Sequence, residues 1–519
     1  MTPGEDQLKI EDHSTVFGSE IYQAQFERKV EFESPCADDE VARVREWSRT
    51  DEYRDANFAR EALVVNPERA CQPLGAVLAA LGFERTLPLV HGSQGCVAYF
   101  RTHFSRHFRE PVPAVSSSMT EEAAVFGGLS NLVDALENST ALYKPSMVAV
   151  STTCMAEVIG DDIQNYVVKA REAQVIDDSL PVPSAHTPSF VGSHLNGYDS
   201  MLKSILSELV SLDDQGDSVD NGIIASDAKD RINVIPGFDT YVGNLREIKR
   251  LLEIIGADYL LIGDHSDTLD APATGSYEMY PGGTSLAAAS DAAKSKATIM
   301  LQETATRQTA KMISLNWNQE VVMLPTPIGV GNTDRFVSEV ARLTGRSVPL
   351  EISQERGRLV DAMTDSYAYL HGKKVAIAGD PDLVVSLLGF LLELGIQPLH
   401  VLSSNGDESF ASRAKETLSA NSFGESAKVW SGHDLWHMRS LVFSEPVDLL
   451  IGSSHLKYIS REANVPLVRV GFPIFDRHHM HRTPIVGYTG GINLLTQLVN
   501  TVLDEIDRVA PEFGFDLVR

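Results

Sequence analysis

The chain has 519 residues, 43% of them apolar, and a formal net charge of −27 from 44 Lys and Arg against 71 Asp and Glu. That length predicts about two to four domains with sizeable cores, and the charge excludes a nucleic-acid binder built on a dominant basic surface while suiting a basic protein partner. Four cysteines in such a length form no disulfide framework, the first residues lack the apolar core of a signal peptide, and no run of about 18 apolar residues exists; the expectation is a cytoplasmic protein.

Residues 1–60 are polar and acidic with scattered aromatics (Phe17, Tyr22, Phe26, Phe32). They read either as a loose tail or as an arm whose aromatics anchor on another subunit. Cys36 lies here, in ESPCADD. Residues 61–229 hold the other three cysteines: Cys71 in NPERACQPLGA, Cys96 in HGSQGCVAYF and Cys154 in STTCMAEVIGDD. Each sits beside Gly, Pro, Ser or Thr, the marks of an element end. Met147–Val150 reads as a buried strand that delivers Cys154 at its C-terminal end, where parallel sheets carry functional groups. The following AEVIGDDIQNYVVKAREA has helical periodicity, with Val158, Ile159, Ile163 and Val167 on one face.

Residues 213–230, rich in Asp, Ser and Gly, form the best linker candidate. Beyond them, strand Ile232–Ile235, an amphipathic helix and strand Tyr259–Ile262 make a βαβ unit. A second unit has strands Val375–Ala378 and Pro398–Leu402, and a later strand, Val447–Ile451, ends at Gly-Ser-Ser-His. The alternation predicts an α/β protein: three Rossmann-like domains (61–229, 230–355 and 356–519) with mostly parallel sheets, right-handed crossovers and an extended N-terminal arm. Neither Gly turn, PGFDTYVG or AGDPDLV, carries a dinucleotide fingerprint, and no phosphate-binding GxxxxGK[ST] occurs. Any ATP hydrolysis therefore belongs to another protein.

The three thiols are 25 and 58 residues apart, too far for a local knuckle. Three is also an odd number where zinc and iron–sulfur sites commonly take four cysteines. Either the site is completed by an oxygen ligand or a second chain, or these are three unrelated thiols packed as small hydrophobes.

The words around them resemble one family, the beta chains of the nitrogenase molybdenum–iron protein. The matching segments are REALVVNPERACQPLGA, LPLVHGSQGCVAYFRTHFSRHFREP, SSSMTEEAAVFGG, VAVSTTCMAEVIGDDI, HTPSFVGSH, ERGRLVDAMTDS, DLWHMRSLVF, GFPIFDRHHMHR and the terminal DLVR. The resemblance runs from about residue 46 and weakens near 205–230 and 265–345. It implies that Cys71, Cys96 and Cys154 ligate an [8Fe-7S] P-cluster shared with the alpha chain, and that Ser189 ligates one iron on oxidation. A hard alkoxide suits ferric iron; without the family, Ser189 reads as a turn residue bonding backbone.

The resemblance further implies that Tyr99 and Phe100 border the cluster, beside the reading of ordinary aromatic core. Ser93 and Gly95 are candidates for backbone amides facing cluster sulfides. Phe126, Glu157, Asp161 and Asp162 resemble the docking surface for the ATP-hydrolysing iron protein, although a core Phe and helix-start acids would give the same pattern. Arg109 (through its carbonyl), Glu110, Asp361 and Asp365 match a Ca2+ or Fe2+ site between two beta chains; Asp361 and Asp365, four apart, share a helical face.

His478, His479 and His481 fit no zinc spacing and read as interface or core, and His91, His186 and His194 as hydrogen-bonded structural histidines. The family's alpha chains anchor the iron–molybdenum cofactor through a Cys and a His in their later domains; no cysteine follows Cys154 here, so the resemblance implies that this chain holds no such cofactor and no catalytic residue of its own. The implied function is electron relay within an alpha2beta2 nitrogenase tetramer. The rivals are a cofactor-assembly scaffold of the same superfamily, the dark-operative protochlorophyllide reductase, and a structural interaction protein with incidental thiols.

Overall fold

The computed structural model describes residues 12–214 and 230–510; most of the expected linker and the terminal DLVR lie outside them. The chain forms two compact units, Met1–Arg60 and Glu61–Arg519. The described part of the first is helical: His13–Phe17, Glu20–Glu33, Asp38–Trp47 and Asp51–Phe58. Asp12, Ser19 and Thr50 cap three of these helices, each side chain accepting a backbone amide two or three residues on. The loose-tail reading is thereby corrected: capping and helix-forming residues suffice for local order although Ile21 and Phe32 stay 75% and 77% exposed.

The second unit contains three parallel sheets. The first has β1 (Thr86–His91), β2 (Val115–Ser116), β3 (Met147–Thr152) and β4 (Ser184–Ala185), in the order β2-β1-β3-β4. The second has β5 (Ile232–Ile235), β6 (Tyr259–Leu261), β7 (Ala297–Met300) and β8 (Glu320–Met323), ordered β6-β5-β7-β8. The third has β9 (Lys374–Ala378), β10 (Gln397–Ser403), β11 (Lys428–Ser431), β12 (Leu449–Gly452) and β13 (Leu467–Arg469), ordered β11-β10-β9-β12-β13. All pairings are parallel, with Leu87 opposite Val148 and Leu89 opposite Val150. Every residue of β1 and β3 is buried, as central strands covered on both faces must be. One core cluster joins the first and second sheets and another the second and third. Among the described residues no helix is long and apolar enough to cross a membrane.

One expected element is divided. The continuous helix after Cys154 breaks at Gly160, which adopts φ 79°, so that Cys154–Ile159 and Ile163–Glu172 are separate helices. Val158 consequently faces outward, 75% exposed, while Ile163 and Val167 are buried.

The contact that positions the first cysteine is between helices Gln72–Leu81 and His194–Asp214. All ten residues of the first are buried, with Pro73 in its opening turn where a missing amide costs nothing. Its apolar residues Leu74, Val77, Leu78 and Leu81 contribute about 1.5–3 kcal/mol each through burial. The helices meet backbone to backbone: a Cβ at Gly75 would stand 1.7 Å from the His194 carbonyl oxygen, and one at Gly197 would stand 1.8 Å from that of Gln72. Only glycine permits this approach, which fixes Cys71 against the 188–194 loop.

Candidate metal-cluster site

The first sheet has its topological switch between β1 and β3: the chain leaves β1 for β2 on one side and returns to β3 on the other. Open α/β sheets bind ligands in the crevice at such a point, beyond the strands' C-terminal ends. β1 ends at His91 and leads through Gly92 and Ser93 into helix Gln94–Phe108, whose third residue is Cys96. β3 ends at Thr152, and Cys154 opens the helix Cys154–Ile159. β4 leads to Thr187, Pro188 and Ser189, and Cys71 is the extended N-cap of helix Gln72–Leu81. All three thiols therefore sit at helix N-termini, where unpaired amides and the helix dipole favour negative charge.

The thiols face one another electrically. Burial pushes the Cys96 thiol up, and the nearby Cys71 and Cys154 push it further. Tyr99 is raised by burial and then by Cys71. All four cysteines of the chain are free; Cys71 and Cys154 are exposed and Cys96 is half-buried. Cys71 and Cys154 therefore do not pack as small hydrophobes, while Cys96 is half-buried against the core. Ser189 joins the group: its Oγ accepts the Gln72 amide at 3.1 Å, and Gln72 Nε2 donates to the Pro188 carbonyl at 2.7 Å. Among the described residues no three His, Cys, Asp or Glu side chains form a group that would hold a single metal ion. Soft thiols, two of them exposed and one half-buried, with a hard hydroxyl hydrogen-bonded to the Cys71 loop, fit a polynuclear iron–sulfide group better than a lone cation.

The crevice walls depend on residues that sequence reasoning passed over. Gly92 has φ 146°, and a Cβ there would stand 1.8 Å from Thr153 Oγ1. The Thr153 amide donates to the His91 carbonyl at 2.9 Å, so the two cysteine-bearing turns are directly joined. The glycine in HGSQGC is the signal that could have revealed this contact. Helix Gln94–Phe108 turns Val97, Phe100, Phe104 and Phe108 into the core, whereas Cys96, Tyr99 and His103, at i, i+3 and i+7, form a neighbouring stripe. Phe100 is 2% exposed and Tyr99 48%: the first packs in the core and the second lies at the surface near Cys71. Ser93 is the extended N-cap of this helix and makes no side-chain cap bond. A Cβ at Gly95 would meet nothing closer than Ser93 Oγ at 3.7 Å.

The docking candidates separate. Phe126 is 82% exposed at the end of helix Glu121–Phe126. Asp162 is an exposed N-cap, accepting the Asn165 amide at 3.1 Å. Glu157 is largely covered, bonded to Thr152 Oγ1 and to His186 Nδ1 at 2.8 Å. Asp161 corrects the expectation of a docking acid: its carboxylate is buried, 2.9 Å from His91 Nε2, and accepts the Tyr166 hydroxyl at 2.9 Å and the Gly128 amide at 3.1 Å. Burial also keeps His91 below the ordinary imidazole range, with Asp161 opposing that effect.

Arg109 ends helix Gln94–Phe108 in the left-handed conformation, φ 64°, with its side chain on the Phe475 carbonyl at 2.9 Å. Glu110 lies 3.9 Å from Arg482. Asp361 and Asp365 stand exposed on helix Leu350–Leu370. Glu110, Asp361 and Asp365 do not form a metal group within this chain. His481 is core, with ring centroids 5.7 Å from His107 and 5.6 Å from Phe108, while His478 and His479 are exposed. His194 pairs with Asp380 at 3.1 Å. His194 is hydrogen-bonded as expected of a structural histidine, and of the His478–His481 group His481 is the one in the core.

The parallel sheets, with three cysteine-bearing helix starts beyond the strand ends of the first, define an α/β protein with a candidate thiolate site, and comparison with known proteins gives its family. The family described as nitrogenase component 1 type oxidoreductase matches residues 71–503, and a domain of unknown function matches residues 4–57. The chain belongs to the nitrogenase component 1 type oxidoreductases. Within them it is 62% identical over 512 residues to the nitrogenase molybdenum–iron protein beta chain of Frankia alni, spanning 99% of this chain and 96% of that protein. It is 48% identical over 526 residues to the corresponding beta chain of Azotobacter vinelandii, spanning 98% and 99%. The solved structure titled nitrogenase Cp1 at pH 6.5 superposes with a TM-score of 0.82 at 41% identity, covering 89% of this chain and 98% of that one. These relatives are nitrogenase subunits, which favours the subunit reading over the assembly scaffold.

Proposed function

We propose that this chain is the electron-relay subunit of a nitrogenase and holds half of an [8Fe-7S] P-cluster through Cys71, Cys96 and Cys154, with Ser189 joining on oxidation. The observation that carries this reading is the placement of three free thiols at helix starts, with Cys96 near both Cys71 and Cys154. A site of three thiols at a surface calls for its remaining ligands from a second chain, and the alpha chain is that partner. When bound, the cluster supplies reversible storage and release of electrons.

The chain's own residues set the terms of that binding. The helix N-termini behind the thiols offset the negative charge of three thiolates. The Gln72 amide, by donating to Ser189 Oγ, favours the alkoxide that ferric iron requires, because a hydrogen bond to a charged form stabilises it. Gly92 and Thr153 hold the Cys96 and Cys154 turns together. Tyr99 covers part of the thiol face, and Ser93 and Gly95 present backbone amides beside it.

The assembly is an alpha2beta2 tetramer. The helical unit before residue 61 lies on the alpha chain through its exposed aromatics. Phe126 and Asp162, with Glu157 less exposed, meet an ATP-hydrolysing iron protein that delivers electrons, and dinitrogen is reduced at the iron–molybdenum cofactor of the alpha chain. Arg109, Glu110, Asp361 and Asp365 contribute to a Ca2+ or Fe2+ site completed between two beta chains. The segments 61–229, 230–355 and 356–519 act as three domains, one sheet to each. Anaerobic co-expression with the alpha chain, followed by iron and sulfide analysis of the purified complex, tests the central reading. Eight irons per alpha–beta pair beyond those of the partner's cofactor are expected; a stable complex with none at this interface would overturn it.

A further inference from the structure

Where the strand ends of the third sheet face the first cysteine loop, the fold buries polar side chains that have no protein partner. Glu68, three residues before Cys71, is 6% exposed. Its Oε1 accepts the Ser453 hydroxyl at 2.8 Å, and its Oε2 is buried with no hydrogen bond. Ser453 follows β12 and also accepts the His455 amide at 3.2 Å. Asp380 follows β9; it accepts Asn405 Nδ2 at 2.7 Å and pairs with His194 Nε2 at 3.1 Å. The His194 amide in turn donates to the Ala70 carbonyl, beside Cys71, at 3.0 Å.

Further atoms are buried and unbonded: His194 Nδ1, His103 Nε2, His455 Nε2 and the hydroxyls of Ser403, which ends β10, and Ser404, which follows it. His103 neighbours His455, His194 and Arg106, and Glu68 neighbours Ser453 and Asp380. His103 is held down to about 4 by burial first, then by His455, His194 and Arg106. Burial raises Glu68 to about 7, against the Ser453 hydrogen bond and with help from Asp380. Buried polar atoms in such number are satisfied in folded proteins by internal water, which needs a polar chamber with several partners. These atoms are sealed within this chain, so a partner subunit cannot reach them.

We propose that these groups enclose a chain of internal water with Glu68 as its proton-holding group, and that Glu68 takes up a proton when negative charge arrives on the cysteine face and gives it back when that charge leaves. The coupling to the cysteine face rests on the cluster reading above. Three residues of chain span at most about 11 Å, and a charge at that range in a desolvated setting shifts a buried carboxyl strongly. In uptake, hydronium relayed along the water loses one O–H bond and Glu68 gains one, becoming the neutral acid; in release the reverse occurs. The electron arrives from the iron protein and leaves to the alpha chain's cofactor, so no further reactant is needed. Asp380 from the third sheet is the charged group that acts on Glu68; His194 pairs with Asp380, and His103, with Arg106 and His455 near it, adjoins His194.

The test uses the cluster-loaded complex with its alpha chain, by redox-difference infrared spectroscopy in H2O and D2O beside a pH series of cluster midpoint potentials. A protonated-carboxyl band should grow on reduction, shift in D2O and vanish in Glu68→Gln, and the variant's potential should lose the pH dependence near neutrality that Glu68 supplies, with iron content unchanged. Ser453→Ala, which removes the hydrogen-bond donor, should move the band while leaving iron in place. No carboxyl band in the native complex, or the same band and pH profile in Glu68→Gln, would overturn the proposal. Failure of the cluster reading is separate: it shows as missing iron. In such iron-free protein the Glu68 band should still titrate with pH, and its absence would overturn Glu68 as the proton holder.

Discussion

The Ser189 hydroxyl accepts the backbone amide of Gln72 at 3.1 Å and so ties together two loops 117 residues apart, one of them carrying Cys71. Ser189→Ala removes that acceptor and leaves the amide short of a partner, at a cost of about 1 kcal/mol. The variant complex is expected to keep its full iron content when reduced but to show altered EPR signals on oxidation, because no alkoxide is available. Iron analysis alongside a redox titration checks both halves.

Gly92→Ala should be far more damaging than its size suggests. The new methyl group would overlap Thr153 Oγ1, on a backbone whose φ of 146° L-residues seldom adopt. The turn that carries Cys154 must shift, so reduced cluster occupancy is expected even though no ligand is changed. Iron per alpha–beta pair in the purified complex measures it.

Asp161→Ala leaves His91, Tyr166 and the Gly128 amide without their shared acceptor in a buried site. A loss of about 3 kcal/mol in stability is expected, read as a lower denaturation midpoint. Asp162→Ala, which removes only a surface cap, should cost about 1 kcal/mol.

The buried histidines set an acid limit. Burial holds His107 at about 3 and His265 at about 4, far below the ordinary 6.5. Each is neutral in the fold but protonates readily once unfolded, so its contribution is complete above about pH 6.5 and is lost as pH falls toward those values. Between pH 6.5 and 5 each should remove about 2 kcal/mol, seen as a steep fall in denaturation midpoint.

Glu68 has the opposite sign. Its folded value near 7 lies above the ordinary 4.5, so the stability associated with its proton is full below about pH 4.5 and is lost as pH rises to 7. At pH 8, Glu68→Gln should therefore exceed the native chain in stability by on the order of 3 kcal/mol. A variant equal to or weaker than native at that pH would contradict the buried-acid assignment.

Much of this was legible in the residues themselves. β5 matches its expected span residue for residue, and Met147–Val150 was seen as buried because unbroken apolar runs mark central parallel strands. The cysteines were placed correctly at element ends because Gly, Pro and Thr punctuate them. Pattern alone could not show that Gly160 would divide a helix, since a lone glycine in a periodic segment can be accommodated within it. Nor could it tell Asp161 from Asp162: adjacent acids look alike until one is buried against His91. The role of Glu68 depends on Ser453, 385 residues away, a relation no local pattern encodes. The helices of residues 13–58 lacked a buried face to betray them.

The most direct measurement is EPR across a redox titration of the anaerobically purified alpha–beta complex, compared with its Cys96→Ala variant. The expected result is a set of signals from an oxidised eight-iron cluster in the native complex, lost in the variant together with the interfacial iron. Identical signals and iron content in both complexes would show that Cys96 holds no cluster, and the relay assignment would fall.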